Sequence, residues 1–334
     1  MSVNTRPTRP ALPPASGRFA TPVRRLLLLT VLALGVMIIY MTLNLSGNLR
    51  YILLHRGQVL ATLLLVAFAS GVATLLFQTV THNRILTPSI MGMESLFILI
   101  QTLAVFFIDA DALRSLGTVG KFVCESLLLV IFSMLLYRWL FASVGVDLHR
   151  VLLAGLVFGT LFNSLSGLMQ RLLSPGEFAI LQGRMFATFT RAAPEVLALA
   201  AAVILVITLI IWRMRHQLDV LALGRDAAIS LGVCWRQKTL VLLILIAVLV
   251  AISTALVGPL TFFGLLVANL TWQLAGSHRH QHLLPVVVLT GIVTLVGGQL
   301  ILERLLHMSG TLSVVIEFTG GGLFLYLLIK KVPL

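Results

Sequence analysis

Long apolar runs separated by short polar connectors fill most of this chain. About 20 apolar residues in helical form span a hydrocarbon core of about 30 Å. Such runs must be helical there, because lipid offers no partner to an unpaired backbone group. Ten segments meet that test: 24–44, 59–80, 90–108, 122–141, 151–169, 194–212, 239–257, 260–275, 285–302 and 312–330, the eighth short and interrupted by Gly264. The pattern therefore predicts an all-α polytopic membrane protein of about ten transmembrane helices, with one membrane domain over 24–334.

An even number of spans puts both termini on one side. Placing them in the cytoplasm leaves two-thirds of the 24 Lys and Arg residues on the cytoplasmic side, the bias that inner loops show. The connection 170–193 then falls outside, where Phe178, Ile180, Leu181 and Phe186 mix with charges as in an interfacial amphipathic segment. The connection 213–238 falls inside and is the most basic cytoplasmic loop. Residues 1–23 hold Pro7, Pro10, Pro13, Pro14 and Pro22 with several Arg and Ser/Thr, which predicts a disordered cytoplasmic tail. Arg24 and Arg25 followed by an apolar run imitate a signal peptide. The run is long enough to span and has no small-residue cleavage site, so it reads as the first membrane helix.

Composition excludes several classes of function. Hydrophobic residues make up 59% and charged residues 10%, against about a quarter charged in soluble domains. The net charge of +13 comes from Lys and Arg placed singly or in pairs at the ends of apolar runs. That placement suits topology determinants and a lipid surface, not nucleic acid. Two cysteines, Cys124 and Cys234, form no CxxC or Cys/His cluster, so neither a metal nor another cofactor is indicated.

The chain carries no GxxxxGK[ST], HExxH or GxSxG motif, so energy for uphill transport has to come from a partner protein or an ion gradient. Acidic residues within the spans are sparse, with Glu94 and Glu317 the notable ones, which argues against a gradient-driven transporter. Glu317 reads equally as an interfacial carboxylate or as part of a pathway. An intramembrane enzyme is disfavoured, since Ser164 and Ser166 have no histidine at comparable depth. Gly159, Asn163, Ser166 and Gln170 share one face of the fifth segment, either as interhelical hydrogen-bonding groups or as one wall of a path. Gly320, Gly321 and Gly322 suit close packing or a hinge. In the basic loop, LALGRDAAISLGV at 221–233 predicts a short polar helix over Asp226–Ser230 between Gly224 and Gly232, a shape that can enter a groove on a cytosolic partner.

Taken together, these stretches resemble the FecCD-type permeases that import ferric siderophores, haem and vitamin B12, over roughly residues 50–331. The resemblance rests on Gln78, Asn83, Pro88 and Gly92; on GRDAAISLGV at 224–233; on VGPLTFFGLLVANL at 257–270; on AGSHRHQHLLP at 275–285; and on Glu303-Arg304 followed by GGGLFLYLL. Ala268-Asn269 stands where most members have Pro-His, and Asn83-Arg84 where most have Asn-Pro. These departures resemble a siderophore branch whose members pair with a second, different permease.

The resemblance implies a non-catalytic permease subunit in a bacterial inner membrane, moving ferric siderophore from periplasm to cytoplasm, with haem or vitamin B12 as the alternative cargo. It implies a cytosolic ATPase dimer docking on Gly224, Asp226, Ala228, Ser230, Leu231 and Gly232. It also implies a periplasmic binding protein meeting Arg50, Arg56 and Arg304. Asn163, Ser166, Gln170 and Glu317 are the path-lining candidates.

Overall fold

A computed structural model describes residues 22–43, 48–107, 117–142, 148–190, 192–305 and 310–329. Most of the tail expected over 1–23 therefore lies outside the described residues, as do Lys330 and Lys331. Among the described residues the structure is helices and turns, with no strand. In chain order the helices are α1 (Pro22–Thr42), α2 (Leu49–Thr81), α3 (Met93–Phe107), α4 (Gly117–Ala142), α5 (Leu148–Gln170), α6 (Pro175–Met185), α7 (Pro194–Leu221), α8 (Arg225–Ser230), α9 (Trp235–Val257), α10 (Phe263–Leu274), α11 (His280–Arg304) and α12 (Leu312–Ile329). A 3-10 turn, Pro88–Met91, precedes α3.

Each of the ten apolar segments falls on a helix, and α6 and α8 occupy the two long connections. Among the described residues, seven helices, α1, α2, α4, α5, α7, α9 and α11, are long and apolar enough to cross a membrane, and α3 and α10 are shorter apolar helices. The shorter ones have local causes. At 1.5 Å per residue, the 12 residues of α10 reach only about 18 Å. The approach to α10 runs through Gly258 at φ 102° and the buried Leu260. Non-helical backbone at membrane depth is tolerated where protein buries it, and here Thr188 N–H donates to the Val257 carbonyl at 2.9 Å. The 3-10 turn and Gly92, at φ 82°, likewise delay the start of α3.

Two boundaries differ from expectation. Helix α2 begins at Leu49, not 59, because Arg50, His55, Arg56 and Gln58 continue the helix beyond its apolar stretch. Helix α7 runs through Arg213, Arg215 and His216 to Leu221, so the basic loop becomes non-helical only at Ala222. In both places polar residues of good helix propensity extend a helix already nucleated in the apolar run.

Helix α2 is the central post, buried continuously from Gly71 to Val80 and flanked by α7, α9, α10 and α11. Small residues set these approaches. A Cβ on Gly291 of α11 would lie 3.1 Å from the Ala67 carbonyl, and one on Gly264 of α10 would collide with the Thr74 hydroxyl. On the other flank Gly92 meets Gly155 and Gly159 of α5, whose backbone atoms lie 3.0 Å from where its Cβ would be. The outer faces are apolar, with Leu27, Leu28 and Val31 of α1 and Leu205 and Leu209 of α7 all exposed, as surfaces solvated by lipid are.

Candidate functional site

The short helix expected in the basic loop is α8. Gly224 at φ 103° opens it and Gly232 at φ 80° closes it, both in the left-handed region that a side chain disfavours. Ser230 Oγ donates to the Asp226 carbonyl at 2.9 Å. The buried Ala228 presses α8 onto the bundle, and its carbonyl accepts the Val233 N–H at 2.9 Å. Arg225 lies over the Trp235 ring, 5.5 Å from its centroid. What remains outward is Asp226 and Ser230 together with the exposed Leu223, Ile229 and Leu231. Beside them opens a cleft of about 500 Å³ between Arg225, Ile229 and Gln237. An exposed apolar patch with a polar border marks a contact surface.

Directly behind α8 lies a polar network that the chain's motifs did not announce. Asp219, in the last turn of α7, accepts both the His280 backbone N–H and its ring Nδ1–H on Oδ1, each at 2.7 Å. It thereby caps the start of α11 from another helix, satisfying one of the donors a helix N-terminus leaves open. The His280 ring is fully buried, with Nε2 2.9 Å from the Thr79 hydroxyl of α2. His82, which ends α2 in the left-handed conformation, places Nε2 3.0 Å from the Leu221 carbonyl. Gln78 donates to the Arg84 carbonyl at 2.6 Å and accepts the Trp272 indole N–H of α10 at 2.9 Å, while Arg84 covers that indole at 4.7 Å. A cavity of about 800 Å³ opens among Asn83, Arg84, Asp219, Leu223 and His278. Gln78 and Asn83 belong to the resemblance motifs, and His280 lies within the AGSHRHQHLLP stretch, whereas Thr79, His82 and Asp219 carry no motif of their own.

The path candidates divide. Ser166 is buried and donates to its own helix at Phe162, and Gln170 Nε2 reaches the Thr102 hydroxyl of α3 at 3.4 Å. With Gly159 against Gly92, this part of the polar stripe binds α5 to α3. Asn163 is exposed, beside Ser164. Glu317 is exposed on α12 next to Phe318, which is 83% exposed. Glu94 accepts from the Thr261 hydroxyl at 2.8 Å, at the non-helical entry to α10. Gly320 packs against Phe262, with the Phe262 Cβ 3.3 Å from where its own would stand, whereas Gly321 and Gly322 meet nothing.

At the opposite end, the three arginines have unlike surroundings. Arg56 donates to the Tyr40 and Leu43 carbonyls at 2.9 and 2.7 Å, and Arg304 to the Leu43 carbonyl at 3.0 Å. Both therefore close the C-terminus of α1, where orphan carbonyls and the helix dipole favour cations. Tyr40 completes the joint by donating to Glu303 at 3.4 Å, which Gln299 also reaches at 2.8 Å. Arg50 lies exposed in the first turn of α2. At this same end of the bundle, α6 is held by a capping box: Ser174 Oγ accepts the Glu177 N–H, and the Glu177 carboxylate accepts the Ser174 N–H at 2.9 Å.

Residues 25–330 match the model of the FecCD transport family. The chain belongs to that family. Among FecCD relatives, the petrobactin import system permease protein YclO of Bacillus subtilis is 40% identical over 303 residues, covering 91% of this chain and 95% of that protein. The petrobactin import system permease protein FatC of Bacillus anthracis is 34% identical over 313 residues, covering 92% and 88%. A solved structure of a metal-chelate type ABC transporter in an inward-facing conformation superposes with a TM-score of 0.81 at 22% identity, covering 93% of this chain and all of that one. That likeness shows a shared fold.

Proposed function

We propose that this FecCD permease is one membrane-spanning half of an ATP-driven importer that carries ferric siderophore across the bacterial inner membrane into the cytoplasm. The observation that carries this reading is α8: a six-residue helix set between two left-handed glycines, with Leu223, Ile229 and Leu231 exposed at its edge. Such a knob is shaped for a groove on a cytosolic ATPase. The permease relatives, which both belong to petrobactin import systems, favour an iron chelate as cargo over haem or vitamin B12.

The remaining parts follow from this reading. All ten apolar helices span, α3 and α10 with help from buried non-helical backbone, and both termini face the cytoplasm with α8. A second permease of different sequence completes the path against the exposed faces that carry Asn163 on α5 and Glu317 on α12. ATP closure of the ATPase dimer draws the two α8 helices together and rocks the permeases. On the periplasmic face a binding protein meets Arg50 first. Arg56 and Arg304 shape that surface by holding α1.

The test is co-purification in detergent of the tagged permease, its second permease and the ATPase. Asp226→Lys and Gly232→Trp should each reduce recovered ATPase about tenfold or more, as loss of an interface anchor does, while leaving the permease monodisperse. Unchanged recovery with both variants would overturn the docking assignment.

A further inference from the structure

We propose that Asp219 and His280 are positioning residues that lock α8 to the ends of α2, α10 and α11, so that a push on α8 moves this end of the bundle as one body. The inference rests on the reading that α8 meets an ATPase, and it identifies where the push goes next.

The connector between α7 and α8 is short and bonded throughout. Ala222, Leu223 and Gly224 donate their N–H groups to the Leu218, Val220 and Leu221 carbonyls at 2.9–3.1 Å. Force on α8 therefore reaches the last turn of α7 directly. That turn makes two separate grips on neighbours. Asp219 holds the first residue of α11 by two 2.7 Å bonds to one oxygen, and the Leu221 carbonyl holds His82 of α2. A single bond would allow a pivot, whereas grips on two helices, offset along the same turn, oppose rotation.

The ring of His280 then links the two neighbours to each other. A carboxylate only accepts, so Asp219 requires the proton on Nδ1, and Nε2 faces the Thr79 hydroxyl of α2. One residue earlier on α2, Gln78 carries the connection to Trp272 of α10. His280 itself is fully buried, so its ring has no solvent partner to take the place of Asp219 or Thr79, whereas the Asp219 carboxylate borders the cavity. Chains of packed side chains and hydrogen bonds of this kind can carry coupling between sites.

The experiment uses the whole importer in lipid vesicles, with Cys124→Ser and Cys234→Ser and spin labels at Arg225→Cys and His282→Cys for the distance measurement, and the unlabelled chain for transport, ATPase recovery and hydrolysis. In the wild-type background the 225–282 distance should be a single population that does not change between nucleotide-free and ATP-trapped states. His280→Leu should broaden or split it. The same variant should lower siderophore transported per ATP hydrolysed about three- to tenfold, with ATPase recovery and basal hydrolysis within about twofold of wild type. His280→Asn, whose amide stands where Nδ1 stood, should restore most of the ratio; Asp219→Asn, which keeps the packing, gives a second and milder disruption. An unchanged distance distribution and transport ratio in both His280→Leu and Asp219→Asn would overturn the proposal. Absence of the ATPase from the wild-type complex would instead remove the reading on which it rests.

Discussion

The two ends of the helix bundle use polar side chains in different ways. At the α8 end, side chains from separate helices bind one another and one another's backbone ends: Asp219 with His280, His280 with Thr79, Gln78 with Trp272. At the far end, Arg56 and Arg304 converge on the terminal carbonyls of α1. The first arrangement joins four helices beside α8, where the proposed ATPase would push. The second finishes one helix and leaves Arg50 and the outer face of α6 exposed. A basic residue near a membrane surface is thus not by itself a docking residue, because its first obligation can be to an unpaired carbonyl nearby.

The sharpest way to break this contrast is to remove the α1 clamp. Arg56→Met with Arg304→Met leaves the Leu43 carbonyl without either donor and should cost about 3 kcal/mol, given about 1.5–3 for each hydrogen bond to a charged group and partial exposure. Arg50→Met should leave the melting temperature unchanged. Scanning fluorimetry of purified protein in detergent reads both, and equal effects from all three arginines would erase the distinction. Next in size, Gly224→Val forces a side chain into φ 103° and should cost about 1–3 kcal/mol. The loss should show as faster amide exchange over 225–230 with little change in α2. Trp272→Phe removes the indole N–H from Gln78 and should cost about 1 kcal/mol, read as a small drop in melting temperature.

The smallest effect concerns α6. The Ser174 hydroxyl and N–H hold the Glu177 carboxyl below the usual carboxylate range. Its folded pKa lies below its unfolded one, so the cap's contribution is present at neutral pH and lost as pH falls through the depressed folded value. Amide exchange at 175–178 should quicken in that acid range. Glu177→Gln should flatten the response.

Much of this was readable in the chain before folding was considered. Each apolar segment carries a helix, as a long apolar run predicts, although the segment at 260–275 is helical only from Phe263. Helix α8 was readable because Gly224 and Gly232 bracket a run of helix formers in a loop. Helix ends were harder: Arg50, His55 and Arg56 look like a loop in composition yet extend α2, and α7 runs on through Arg213 and Arg215. The Asp219–His280 pair was not readable, since 61 residues separate partners that each look like an ordinary surface residue. Likewise Ser166 and Gln170 share a face with Asn163, but only the packing of α5 on α3 shows that the first two are engaged inside the chain.

The central claim is that this permease has no energy source of its own and receives motion through α8. Uptake of an iron-loaded siderophore into vesicles containing the two permeases and the ATPase, with binding protein on the opposite side from the ATPase, tests it most directly. The account predicts uptake that requires ATP hydrolysis, stops with Asp226→Lys, and persists when an uncoupler collapses the proton gradient. Uptake that proceeds without ATP and collapses with the uncoupler alone would contradict it.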